Sequence, residues 1–193
     1  MLKFFYSFLL LFGAVHSTAA RAESVLFLNP GTTEEAFWVS YSQFMQAAAT
    51  DLGIDLRILY SQRMPELTLA QARVALQGPG RPDYLVFVNE QYVAPQIIRL
   101  AEGSGVKLFM VNASLTANQM SLLGERPERL GSLVPNDEEG GYLMLKELIR
   151  QHPPVAPGEV IELLAFSGLK ITPSAQLREQ GVLRALAEHP HVR

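Results

Sequence analysis

Cysteine is absent from the 193 residues, which excludes disulfides, thiolate metal sites, a cysteine nucleophile and an acylated-cysteine lipid anchor. Charge is sparse at 18% of residues and slightly acidic, with a formal net charge of −3. The clustered Lys and Arg that a nucleic-acid backbone demands are missing, so nucleic acid is excluded as a partner class. Neither a G-x-x-x-x-G-K-S/T phosphate loop nor a G-x-S-x-G nucleophile elbow occurs. Internal repeats and low-complexity stretches are lacking too. Tryptophan occurs once, as Trp38, and only one long apolar run is found. What is present in quantity is hydrophobic side chain, 48% of residues. A chain of this size is one full domain with the start of a second, and it buries a sizeable core without covalent staples.

The one long apolar run is N-terminal. Lys3 supplies a positive first segment, Phe4 to Val15 is apolar, and Ala20-Arg21-Ala22 offers the small-x-small pattern that a signal peptidase cleaves after. The run is well short of the roughly 20 residues a bilayer-spanning helix needs. Residues 1–22 therefore read as a signal peptide cleaved after Ala22. Removal takes Lys3 and Arg21 with it, leaving 14 basic against 19 acidic residues. The mature protein is expected to be soluble, exported and periplasmic.

From Ser24 onward two textures alternate. Short, nearly continuous apolar runs predict strands covered on both faces at Ser24–Asn29, Asp55–Tyr60, Asp83–Asn89, Val106–Asn112 and Glu159–Ala165. Gly131–Pro135 reads as an edge strand. Amphipathic stretches between them predict helices. Phe37, Tyr41, Phe44, Met45, Ala48 and Leu52 form an apolar face on Ala36–Leu52, which Gly53 then stops. Leu67–Gln77, Tyr92–Glu102, Glu138–Gln151 and Ser174–Glu188 read as further helices. The rhythm defines an α/β fold, a doubly wound, mostly parallel sheet with flanking helices. Three prolines in His152–Gly158 break the pattern. The expected division is a ligand-binding unit over 23–152 and the incomplete start of a second α/β unit over 153–193.

In such sheets ligands bind beyond the carboxyl ends of the strands. Asn29, Asn89 and Asn112 stand at those ends, Asn136 follows the edge strand, and Phe37-Trp38 opens the first helix. Amides pair with hydroxyls and aromatic faces stack on sugar rings. Asparagine is equally common where a strand end needs its turn backbone satisfied, and that reading stands beside the binding one. The acidic clusters Glu34-Glu35 and Asp137-Glu138-Glu139 sit at predicted helix starts, where carboxylates favour the helix dipole rather than imply acid/base chemistry. His189 and His191 make two ligands on a loop, too few for a metal site. The remaining histidine of the mature chain, His152, also lies in a proline-bearing loop, so no nucleophile–base pair is evident.

These residues carry a family likeness. The opening Ala36-Phe37-Trp38-Val39-Ser40 with Asp51-Leu52-Gly53, the step Asp137-Glu138-Glu139-Gly140-Gly141, and Gly168, Ser174-Ala175, Arg178 and Gly181 together resemble the type I periplasmic binding proteins, near the ribose/galactose-binding group. The likeness runs from Ser24 to the last residue. It implies two lobes that close on a ligand. Phe37 and Trp38 would be its aromatic sandwich, and Asn89, Asn112 and Arg178 its hydrogen-bonding side chains, with Glu35 and Asn136 as further ligand-side residues. Glu35-Ala36 replaces the family's Asn-Pro, and Asn112-Ala113 stands where an Asp-Arg pair is usual. Those departures point away from ribose or galactose held in the usual way.

The function so implied is capture of a small polar ligand, a sugar, for an ABC importer; the alternative is presentation of that ligand to a sensor kinase or chemoreceptor. No enzyme activity, cofactor or metal is expected. By analogy the protein is a monomer whose partners are its ligand and an ABC permease or membrane sensor.

Overall fold

A computed structural model describes residues 21–193. Apart from Arg21 and Ala22, the expected signal segment lies outside the described residues. No described helix is long and apolar enough to cross a membrane.

Five strands form one parallel sheet: β1 (Ser24–Asn29), β2 (Asp55–Tyr60), β3 (Tyr84–Phe87), β4 (Lys107–Val111) and β5 (Arg129–Leu133), in the order β2-β1-β3-β4-β5. The helices are α1 (Ala36–Leu52), α2 (Pro65–Gln77), α3 (Ala94–Ala101), α4 (Ala117–Leu123), α5 (Asp137–Gln151) and α6 (Pro173–Glu188). Alternation along each strand sorts side chains between two cores. Leu26, Leu28, Leu85, Phe87, Leu108 and Met110 face Ala72, Leu76, Ile97 and Ile98 of α2 and α3. Phe27, Val86, Val88 and Val111 face the opposite way, with Trp38 of α1 packed among them. Continuous apolar runs were needed because both faces are covered. Since β1 lies between β2 and β3, the winding reverses at β1, which places a topological switch point beside it.

Several expectations are corrected. The buried stripe of α1 is Trp38, Ser42 and Ala49, whereas Phe37, Phe44 and Leu52 are exposed. The apolar residues outnumber what one sheet-facing stripe can bury, and Asn29 draws Ser42 inward by donating to its Oγ at 2.9 Å. Glu159–Ala165 is not a strand. A strand needs a neighbour, and this segment finds only His191–Arg193, through a single bridge between Ile161 and Val192. The edge strand starts at Arg129, two residues before Gly131.

Helix α4 was not anticipated. It is held by a capping box in which Thr116 and Gln119 exchange hydrogen bonds.

α5 packs chiefly on α6, backbone against backbone. A Cβ at Gly181 would overlap the carbonyl of Glu138, and one at Gly141 would overlap that of Arg178. Only glycine permits this approach. Asp137, Glu138 and Glu139 do occupy the first turn of α5, but they also pair across to α6: Asp137 with Arg178, Glu138 and Glu139 with Arg184.

Candidate ligand-binding site

The loops leaving β1, β2, β3 and β4 meet the start of α6 around a cleft of about 520 Å³, lined by Phe37, Trp38, Arg63, Glu90, Gln91, Asn112, Leu169, Thr172, Ser174 and Arg178. A second hollow of about 380 Å³ adjoins it and shares Asn112 and Ser174. The cleft lies where the strand order predicts a ligand, outside the carboxyl ends at the switch point.

The backbone that builds its rim is unusual. Five non-glycine residues adopt the left-handed region: Gln62, Arg63, Gln91, Tyr92 and Asn112, with φ between 46° and 65°. All five follow β2, β3 or β4 on this one edge of the sheet, and among the described residues no other non-glycine does so. Such conformations are disfavoured for side chains other than Asn and Asp, and they persist where surrounding contacts over-determine them. Those contacts are visible here. The amide of Arg63 donates to the Pro30 carbonyl at 2.8 Å, the Gln91 side chain donates to the Arg63 carbonyl at 3.3 Å, and the Asn112 amide donates to the Leu133 carbonyl at 3.0 Å.

Phe37 and Trp38 divide the aromatic role that the sequence assigns to both. Their rings meet edge to face, with centroids 4.9 Å apart and planes at 84°. Trp38 is 2% exposed, under a loop whose Gly31 leaves no space for a Cβ above the indole. Phe37 is 57% exposed. Trp38 is therefore floor and support, and Phe37 presents the open ring.

The amides separate in the same way. Asn112 lines both hollows. Asn89 is fully buried: it donates to the Ser114 carbonyl and to Gln119 Oε1, both at 2.8 Å, and accepts from the Ala94 amide at 3.0 Å. Both donors and its carbonyl are engaged, so Asn89 staples the β3 and β4 loops and does not reach the cleft. Asn29 does the same for the loop after β1, donating to Ser42 and the Trp38 carbonyl and accepting from Gly31. Asn136 is the N-cap of α5, accepting from the Glu139 amide at 3.1 Å. The turn-satisfying reading of asparagine holds at these three positions.

Arg178 reaches the cleft from α6, its guanidinium largely exposed. Its Nε donates to Asp137 Oδ1 at 2.7 Å, and that carboxylate is nearly buried. Glu35 is not itself part of the lining; it accepts from Arg63 Nε at 3.0 and 3.1 Å and from Nη2 at 2.8 Å. Arg63 also donates from Nη1 to Glu90 at 3.2 Å and lies 5.8 Å from the Trp38 ring centre. Hydrogen bonding to Glu35, reinforced by the charge of Glu90, holds its pKa above the ordinary arginine value. Arg63 and Glu90 were missed in the sequence: an arginine three residues past a strand end carries no signal that separates it from a solvated loop residue. Tyr92 completes the rim, its hydroxyl 3.2 Å from Gln176 Oε1 on α6.

The chain is similar to solved structures of sugar-binding and transporter solute-binding proteins. A periplasmic sugar-binding protein from Pseudomonas fluorescens shares 64% identity at a TM-score of 0.80, over 88% of this chain and 49% of its own. A periplasmic solute-binding protein of an ABC transporter from Actinobacillus succinogenes, solved with D-allose, is 20% identical at a TM-score of 0.71, over 90% of this chain and 57% of its own. A carbohydrate transporter solute-binding protein from Chloroflexus aurantiacus, solved with D-glucose, is 15% identical at 0.69, over 89% and 47%; at this identity the last two show the fold alone. No family model and no curated protein sequence matches the chain. In fold the chain is similar to the type I periplasmic binding proteins, and with the Pseudomonas fluorescens protein the similarity extends to sequence. The chain spans about half the length of the solved relatives it matches.

Proposed function

We propose that this chain supplies the first lobe and the beginning of the second in a periplasmic binding protein that captures a neutral sugar or similar polar solute for an ABC importer. The observation that carries the reading is the convergence on one cleft of an exposed aromatic ring, Phe37, with a strand-end amide, Asn112, and two carboxylate-anchored guanidiniums, Arg63 and Arg178. Sugars offer an apolar ring face and a belt of hydroxyls, and this lining offers a partner to each. The relatives' description as sugar-binding and transporter proteins supports the same reading. Glu35 and Asp137 act behind the lining, fixing the two arginines. The packing of α5 on α6 supports a passage between lobes at the β5–α5 connection, residues 134–136, rather than in the proline-rich segment. Export through cleavage after Ala22 completes the reading; mass spectrometry of the periplasmic protein is expected to show Glu23 as the first residue.

Trp38 makes the binding test direct, since the only tryptophan lies on the floor of the cleft beneath Phe37. Titration of the intact protein with D-glucose, D-allose, allitol and non-sugar polar solutes is expected to change its emission saturably for a neutral sugar or polyol. A folded protein that is silent to every sugar and polyol but responds to another solute would refute the sugar assignment.

A further inference from the structure

We propose that Arg63, clamped between Glu35 and Glu90, is the residue by which the cleft selects neutral ligands and rejects anionic ones. This rests on the sugar-binding reading above. The clamp joins three separate loops: Glu35 follows β1, Arg63 follows β2 and Glu90 follows β3. Its backbone is held in the left-handed region at φ 60°, so the side chain is aimed by a conformation an arginine does not adopt unforced. An arginine brings five N–H donors. Nε and one N–H of Nη2 go to Glu35, and one N–H of Nη1 goes to Glu90. One N–H on each terminal nitrogen is left with no partner among the described residues, on a side chain 43% exposed at the cleft wall. Two N–H groups on one rigid fork match two adjacent hydroxyl oxygens.

The same clamp sets the charge. Glu90 is only 12% exposed at the side chain, and Glu35 is bound in a bidentate pair, so two carboxylates share one guanidinium. Arg178 is likewise matched by Asp137. The cleft thus offers many charge-assisted hydrogen bonds around two cations and three carboxylates. A carboxylate or phosphate on the ligand would face this excess of negative charge, and no uncompensated cation would receive it. Rejection of the wrong ligand by like charge is as much a part of specificity as attraction of the right one.

The test uses isothermal titration of the intact protein with D-glucose, D-allose and allitol, and with D-glucuronate as the acidic counterpart of D-glucose, alongside Tm. The wild type is expected to bind a neutral member at least about 100-fold more tightly than D-glucuronate, the scale of a like-charge clash in a partly desolvated site. Arg63→Met is expected to weaken neutral binding by about tenfold or more, with Arg63→Lys between the two because the charge stays and the fork is lost. Glu90→Gln is expected to narrow the neutral-to-acid ratio by about tenfold. A wild type that binds D-glucuronate as tightly as D-glucose would overturn the charge selection. A folded Arg63→Lys and Arg63→Met that lower Tm yet bind as wild type would overturn the contact with ligand and leave Arg63 a loop strut. A folded wild type that binds none of the four ligands would overturn the sugar reading and this assignment with it.

Discussion

The sheet and the α5–α6 pair hold together by opposite means. In the sheet, large side chains fill two cores, and Phe27, Leu28, Leu85, Phe87 and Leu108 are all fully buried. Between α5 and α6 the closest contacts are made by residues with no side chain, Gly141 and Gly181, and ion pairs to Arg178 and Arg184 frame them. The flanking segments around this pair leave Leu164 and Phe166 at 80% and 91% exposure. One region is stabilised by volume and the other by close approach. A change of size therefore harms each in the opposite direction.

The largest effect is expected in the sheet. Phe87→Ala removes a fully buried ring from the centre of the first core, and its unfolding midpoint in urea should fall by an amount corresponding to about 3–5 kcal/mol. The reverse change, Gly181→Ala, adds one methyl where a carbonyl already lies; a loss of about 3 kcal/mol is expected. Hydrogen exchange should show that loss in α5 and α6 while β1, β3 and β4 keep their protection. Uniform loss of protection would show that the two regions unfold as one. Asn89→Ala should lie lower, at about 2 kcal/mol, because it strands the buried Ala94 amide. The smallest effect concerns pH. Hydrogen bonds from the Ser24 hydroxyl and amide hold the Asp83 carboxyl below its ordinary value of 3.8. A depressed carboxylate contributes stability above its unfolded pKa and loses it as pH falls through the folded one. The acid limb of a Tm–pH curve should therefore be shallower below 3.8 in Asp83→Asn than in the wild type.

The elements most legible in the sequence are those with strong periodicity and a clear stop. α1 runs from Ala36 to Leu52 as read, with Gly53 in the left-handed cap at φ 67°, and β1 and β2 match residue for residue. β3 and β4 stop short of Asn89, which is turned to the loops, and of Asn112, which lies in the left-handed region at φ 63°. α4 has no apolar period over its seven residues, yet Thr116 and Gln119 stand at capping-box spacing, a signal that was there to be read. Strand texture at Glu159–Ala165 misled because apolar character records the wish to be covered, while a strand also requires a hydrogen-bonded neighbour.

In the candidate site, residue type was legible and orientation was not. Phe37, Asn112 and Arg178 reach the cleft, and Glu35 stands one contact behind it. Asn89 and Asn136 have the right chemistry at strand and loop ends, but their amides turn toward their own backbone. Nothing in a one-dimensional sequence distinguishes an amide aimed at a ligand from one aimed at an N–H three or five residues away. Arg63 is legible only once three loops are seen together.

The five left-handed residues on the rim have a consequence for how this protein can change. Apart from Asn112, whose side chain tolerates the region, each carries a backbone conformation about 1–2 kcal/mol less favourable than an ordinary one. Replacement by glycine would return part of that energy while leaving both cores untouched. Selection for heat resistance alone would therefore find its easiest gains at Gln62, Arg63, Gln91 and Tyr92, and would dismantle the rim while toughening the scaffold.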